Sequence, residues 1–358
     1  MTAATAHINA IGKAVPAHDV HHAFIGWAER QLADPRERAV FRRMAERSGI
    51  EHRWSVLPPA QGGGSPVEAG GFYGGEQRPS TAARMEIYAK AAPPLALAAI
   101  ADLAGRSDLG SITHLVVASC TGFVAPGIDQ IIAAELGLDP GVERTLVGFM
   151  GCYAAVAALR TAHHIVRSEP DARVLVVTVE LSTLHLQFSS EIEPLLAMLQ
   201  FGDGAAAALV SGERRGFAIS NLFAASLPET GELIRWTVGD SGFAMHLSGE
   251  VPARIGAALA EGELQARMLG DRPSSSVDAW ALHAGGRSIL DAVETALSLR
   301  PEALEESREV LARYGNMSSS TLMFVLAALL EGNAPRLGVA LAFGPGLAAE
   351  GFRFEATR

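Results

Sequence analysis

The chain has 358 residues, 49% of them hydrophobic and 19% charged, with a formal net charge of −10 and two cysteines. That length and apolar content suffice for a large core, arranged as two domains or as one duplicated domain. The charge excludes nucleic acid as a general partner, and two cysteines exclude a disulfide framework or a paired Cys/His zinc site.

No apolar run approaches the roughly 20 residues needed to span a bilayer. Residues 1–7 show no basic region leading into a continuous apolar segment, so no secretory signal is read there and a reducing cytoplasm is expected. Short β-branched runs alternate with longer Ala/Leu-rich stretches, the pattern of a layered α/β protein. In chain order, a helix is expected over 36–47 and a surface loop at Gln61-Gly62-Gly63-Gly64-Ser65-Pro66. A long helix over 81–104 follows, which Pro93-Pro94 should kink or break. Next come a strand over 114–119, a helix over 153–167 and strands over 173–179 and 206–210. Asp271-Arg272-Pro273-Ser274-Ser275-Ser276 reads as a hinge into the second half. That half offers a strand over 279–283, helices over 287–299 and 318–330, and a strand over 337–343. Each half has a later helix introduced by a Gly-containing turn with a polar residue at its mouth, Cys152 in one and Asn316 in the other. A duplication gives this pattern; so do two ordinary βα units.

Cys152, in Gly148-Phe149-Met150-Gly151-Cys152-Tyr153, faces the positive end of a helix dipole, which favours the nucleophilic thiolate. On its own a cysteine in this setting is more often a small buried apolar residue. His283 closes a strand before Ala284-Gly285-Gly286, where active-site residues of α/β sheets gather, and Asn316 is a residue type favoured as a helix N-cap. Together the three have a clear chemistry. Histidine accepts the thiol proton, and His283 and Asn316 then donate hydrogen bonds to a thioester oxygen as enolate charge develops. That suits decarboxylative Claisen condensation on a cysteine-bound acyl group.

Five segments carry a resemblance: Gly151-Cys152-Tyr153-Ala154, Phe201-Gly202-Asp203-Gly204-Ala205-Ala206, His283-Ala284-Gly285-Gly286, Tyr314-Gly315-Asn316-Met317-Ser318-Ser319 and Phe343-Gly344-Pro345-Gly346-Leu347. In this order they resemble the signatures of type III polyketide synthases, the chalcone synthase-like group of the thiolase superfamily. The resemblance runs from about Arg43 to the C-terminus. It implies a duplicated αβαβα thiolase fold, with residues 1–212 carrying the cysteine and 213–358 the histidine and asparagine. It also implies a homodimer, a Cys152–His283–Asn316 triad and a gatekeeper at Phe201. Phe343, Gly344, Pro345 and Gly346 match the cavity-shaping loop. Arg43 and Arg47 match basic positions that hold CoA phosphates, a third such position being Val40 here, and Gly285, Gly286 and Ser288 lie where the family meets the pantetheine arm. No metal or cofactor is implied beyond the CoA thioester substrates.

The expected pocket wall is Cys120, Thr121, Ala125, Ser182, His185, Trp236, Met245 and Ser318. Cys120 stands for the threonine usual in plant members, and Ala125 for a methionine that crosses their dimer interface. That loss of bulk predicts a tunnel off the main cavity, while Trp236 and His185 should narrow the cavity itself. The chain therefore resembles bacterial members that thread a medium- or long-chain fatty acyl starter. The expected reaction is iterative condensation of such an acyl-CoA with malonyl-CoA to alkylpyrones or alkylresorcinols. Alternatives are an aromatic- or malonyl-primed synthase (chalcone- or tetrahydroxynaphthalene-type), a β-ketoacyl-carrier-protein synthase III, or a catalytically silent partner subunit.

Overall fold

The computed structural model describes residues 4–75, 77–332 and 334–357. Part of the N-terminal stretch read for a targeting signal, residues 1–3, lies outside them. The first half runs β1 (His7–Ala14), β2 (His18–Asp19), α1 (His21–Gln31), α2 (Pro35–Glu46), β3 (Trp54–Ser55), α3 (Thr81–Ala104), β4 (His114–Ser119), α4 (Ile128–Glu135), β5 (Glu143–Gly148), α5 (Ala154–Ser168), β6 (Arg173–Leu181), α6 (Ile192–Met198) and β7 (Asp203–Ser211). The second runs β8 (Gly216–Ser226), β9 (Ile234–Gly239), β10 (Gly242–Leu247), α7 (Val251–Ala260), α8 (Glu263–Leu269), β11 (Ala279–Leu282), α9 (Arg287–Ala296), α10 (Glu305–Tyr314), α11 (Ser319–Glu331), β12 (Gly338–Gly344) and β13 (Ala348–Thr357).

The main sheet has the order β11-β12-β13-β8-β1-β7-β6-β4-β5. Its pairing repeats. In the first half β1 is antiparallel to β7, β7 to β6, and β6 is parallel to β4. In the second half β8 is antiparallel to β13, β13 to β12, and β12 is parallel to β11. The same sequence of directions in each half is the mark of a duplicated unit, which two unrelated βα units would not produce. A short antiparallel contact of β1 with β8 joins the halves.

Alanine and valine on the strands leave room for α5 and α11 to lie in the middle layer. Both are lined with fully buried small and aliphatic residues, from Ala154 to Val166 and from Leu322 to Leu329. Outer helices close each side: α1, α3 and α4 cover the first half, and α7, α8 and α9 the second. By length and composition α3 could cross a membrane, contrary to the sequence reading. Here Tyr88, Ala92, Ala96, Ala99 and Leu103 bury it against the strands as a core helix. Nor does Pro93-Pro94 break it. The helix continues from Thr81 to Ala104, because packing on the sheet outweighs the missing backbone donors.

Candidate active site

The middle-layer helices α5 and α11 begin beside each other, and the site forms around their entries. Cys152 lies in a single 3-10 turn, Gly151–Tyr153, just ahead of α5. Gly151 has φ +75°, and a Cβ there would come within 2.4 Å of Pro345. The backbone at Gly344 similarly lies against Tyr153 and the Cys152 amide. The loop after β12 therefore packs directly on the cysteine turn, and both glycines are needed for that approach.

His283 sits one residue past β11, its amide still donating to the Leu341 carbonyl at 2.9 Å. Its Nε2 lies 3.2 Å from Asn316 Oδ1, an oxygen that only accepts, so Nε2 carries the hydrogen. Asn316 is not the N-cap of α11; Ser318 is, with φ +49°. Asn316 stands two residues earlier, its amide donating to the Gly285 carbonyl at 3.2 Å and its Oδ1 accepting from the Ser318 N–H at 2.8 Å. The Ser318 hydroxyl donates to Cys152 Sγ at 3.6 Å and lies 3.3 Å from Cys120 Sγ. Among the described residues no hydrogen bond joins Cys152 to His283 directly. Ser318 and Asn316 link them.

The expected thiolate at the helix end is not the resting state. Burial pushes the Cys152 thiol up to about 12, opposed by the Ser318 hydrogen bond. Desolvation outweighs that hydrogen bond. Burial also holds His283 down to about 4, so the imidazole is neutral. Beside them is a group absent from the sequence reading, Glu180 at the end of β6. Its buried carboxylate accepts from the Ser319 hydroxyl, the Cys120 amide and the Thr121 hydroxyl, and lies 3.4 Å from Cys120 Sγ. Burial raises it to about 7. A lone carboxylate in the apolar run Val174-Leu175-Val176-Val177-Thr178-Val179-Glu180-Leu181 was the signal for it.

Next to this cluster lies an apolar cavity of about 290 Å³. Its wall includes Ser182, His185, Phe201, Trp236 and Met245, as expected of them, together with Phe24, Leu57, Tyr73 and Met198. Trp236 and Met245 are direct partners across the β9–β10 hairpin. His185 is held at both ring nitrogens: Nε2 donates to the Thr121 carbonyl at 2.7 Å and Nδ1 accepts from the Phe243 amide at 3.0 Å. Cys120, Thr121 and Ala125 do not line this cavity, and the expected tunnel on their side is not part of it. The Trp236 indole N–H donates to the Cys120 carbonyl at 2.9 Å and closes that side. The Cys120 thiol turns toward Glu180 instead, and Ala125 is exposed in the Ala125–Pro126 loop. Ser318, Gly344 and Pro345 pack at the cysteine turn, and neither they nor Phe343 and Gly346 line the cavity.

Arg43 and Arg47 are exposed at the end of α2. Arg287, missed in the sequence, joins them by donating to the Arg47 carbonyl at 3.3 Å. Behind it, Gly285 and Gly286 are buried and Ser288 is exposed. A Cβ at Gly286 would strike the side chain of Gln200, the residue before Phe201. A basic rim thus leads past two glycines to Phe201 and the Asn316 turn.

A thiolase-type α/β fold with a cysteine, a histidine and an asparagine converging from its two halves defines an acyl-condensing class of enzyme. Residues 1–214 match the N-terminal domain of chalcone and stilbene synthases, and residues 220–357 match their C-terminal domain. The chain is 36% identical over 292 residues to the alpha-pyrone synthesis polyketide synthase-like Pks18 of Mycobacterium tuberculosis (77% of this chain, 73% of that protein). It is 37% identical over 302 residues to bisdemethoxycurcumin synthase of Oryza sativa subsp. japonica (78% and 75%). Its fold superposes on PKS-I from the brown alga Ectocarpus siliculosus with a TM-score of 0.87, at 28% identity and 99% coverage of each chain. The type III polyketide synthase domain of Steely1 from Dictyostelium gives 0.85 at 26% identity, covering 99% of this chain and 100% of that one. The chain belongs to the chalcone and stilbene synthase family and is a type III polyketide synthase, an acyltransferase.

Proposed function

We propose that Cys152, His283 and Asn316 are the catalytic residues, and that the enzyme condenses a medium- or long-chain fatty acyl-CoA with malonyl-CoA to give alkylpyrones or alkylresorcinols. The observation that carries this reading is the convergence of His283 Nε2, Asn316 and the Cys152 thiol around Ser318 in a buried site. His283 is the base form at neutral pH and takes the Cys152 proton. The thiolate attacks the starter carbonyl, CoA thiolate leaves, and the acyl group stays on Cys152. Malonyl-CoA then loses CO₂. Its enolate oxygen accepts a hydrogen bond from the His283 Nε2–H, which turns to it from Asn316 Oδ1, and one from the Asn316 side-chain N–H not given to Gly285. The enolate carbon attacks the Cys152 thioester, expelling the thiolate and leaving a β-ketoacyl-CoA that reloads for the next round.

Support for an aliphatic starter comes from the size and wall of the cavity. About 290 Å³ is at the small end of ligand sites, and Trp236 and His185 occupy width that an aromatic starter needs. Each buried CH₂ contributes about 0.8 kcal/mol to holding such a chain. The relative named for alpha-pyrone synthesis agrees with a pyrone product. Arg43, Arg47 and Arg287 would meet CoA phosphates, with Gly285, Gly286 and Ser288 along the pantetheine arm and Phe201 as gate. No cofactor beyond CoA thioesters enters these steps. The exposed edge strand β5 would pair with a second copy, and two buried free thiols suit a reducing cytoplasm.

Mass spectrometry of products from octanoyl-, palmitoyl-, malonyl- and aromatic acyl-CoA starters tests the reading. Pyrones or resorcinols from the aliphatic starters, abolished in Cys152→Ala, are expected. A preference for aromatic starters, a single β-ketoacyl thioester, or an active Cys152→Ala variant would sink it.

A further inference from the structure

Arg53 follows directly from the short stretch Ile50-Glu51-His52, touches neither Cys152 nor His283, and is fully buried. Its contacts form a clamp. One guanidinium nitrogen, Nη1, donates to two carbonyls, Met198 at 3.0 Å and Phe201 at 2.9 Å, and so holds both ends of the turn that presents Phe201. Nε donates to His21 Nδ1 at 3.0 Å, and the group lies 4.6 Å from the Phe24 ring centroid. Arg53 therefore spans from α1 to the turn between α6 and β7.

That turn is bonded to the asparagine. The Asn316 backbone N–H donates to the Gln200 carbonyl at 2.7 Å, and the Gly202 backbone N–H donates to the Asn316 backbone carbonyl at 3.0 Å, a parallel bridge with Phe201 at its centre. Arg53 also backs the other side of the bridge. Gly315 has φ +67°, and a Cβ there would lie 2.8 Å from Arg53 Cγ. One buried arginine thus underlies two backbone segments, its guanidinium holding the one that carries the gate and its aliphatic stem backing the one that carries the asparagine.

We propose that Arg53 is a positioning residue that sets Phe201 and Asn316 as one unit, so that gate geometry and enolate stabilisation change together. This rests on the assignment of Asn316 to enolate stabilisation. A lysine keeps the charge but lacks the planar fork, and cannot hold His21 and both carbonyls at once.

The test compares two reactions of one preparation: decarboxylation of malonyl-CoA, which uses Asn316, and alkylation of Cys152 by iodoacetamide, which does not. In Arg53→Lys, decarboxylation kcat should fall about 10- to 100-fold, as misplacement of a catalytic group does, while the alkylation rate of the folded protein stays within about twofold of wild type. A parallel fall of both, or no change in either, overturns the proposal; unfolding is recognised because it exposes the buried thiol and speeds its alkylation while decarboxylation is lost. Asn316→Ala runs alongside. If it still decarboxylates, the assignment of Asn316 has failed; if it is inactive and Arg53→Lys is normal, only the clamp has failed. Should Arg53→Lys not fold, His21→Ala, which removes a single anchor of the guanidinium, decides with the same split at smaller size.

Discussion

Cys152 and His283 are both neutral at rest, and this has a measurable sign. With the thiol pushed up to about 12, the thiolate fraction grows about tenfold per pH unit below that value. Iodoacetamide alkylation of Cys152 should therefore rise steadily from pH 7 to 9. A rate already level at pH 7 would mean a preformed thiolate–imidazolium pair. Glu180 titrates the other way in stability. Its carboxyl moves from an ordinary 4.5 to about 7 on folding, so the native state keeps a proton that the unfolded chain has lost. Stability from this group is full below pH 4.5 and falls as pH rises to 7, by roughly 3 kcal/mol in all. Urea unfolding of wild type and Glu180→Gln across pH 4.5–7.5 should show wild type losing ground to the variant with rising pH; parallel curves would refute it. The cysteine, histidine and asparagine proposed as catalytic stood out in the sequence because each lies beside glycines at an element end. Arg53 and Glu180 were not read there, since a buried charge is defined by partners as far as 148 positions away in the chain.

Among the elements, the β9–β10 hairpin decides the width of the cavity. Trp236 and Met245 face each other across it, and its tip is tied to the start of α3 by the Thr81 amide donating to the Asp240 carbonyl. Trp236→Ala removes the wall between the cavity and Cys120. It should raise kcat/KM for aromatic over octanoyl starters by about tenfold, within the range that pocket contacts supply, as read from competition assays. An unchanged ratio would show that the indole does not set selectivity. The neighbouring elements show what local pattern can and cannot specify. Helix α3 was placed correctly from its composition, yet the break expected at Pro93 depended on packing that pattern does not contain. The strands β1, β5, β8 and β13 were not read: β5 is almost wholly exposed, β1 and β8 owe their pairing to distant partners, and β13 pairs with its neighbour β12 on one side and the distant β8 on the other.

For the whole molecule, β5 is the exposed one of the two edge strands of the main sheet, and Leu146 on it and Phe123 beside it are 49% and 52% exposed. An unpaired edge with an exposed leucine and phenylalanine at it calls for cover, and a second copy supplies it in the proposed homodimer. Leu146→Glu should shift sedimentation toward monomer, whereas an unaltered dimer would place the interface elsewhere. The sequence by itself determined the layered α/β class, the family and the identities of the cysteine, histidine and asparagine, because those depend on local motifs in a set order. Tertiary structure alone decided that burial keeps Cys152 protonated, that Trp236 seals the Cys120 side, and that Arg53 underlies both Phe201 and Asn316. Each of these follows from desolvation or from contacts between segments far apart in the chain, which no local pattern encodes.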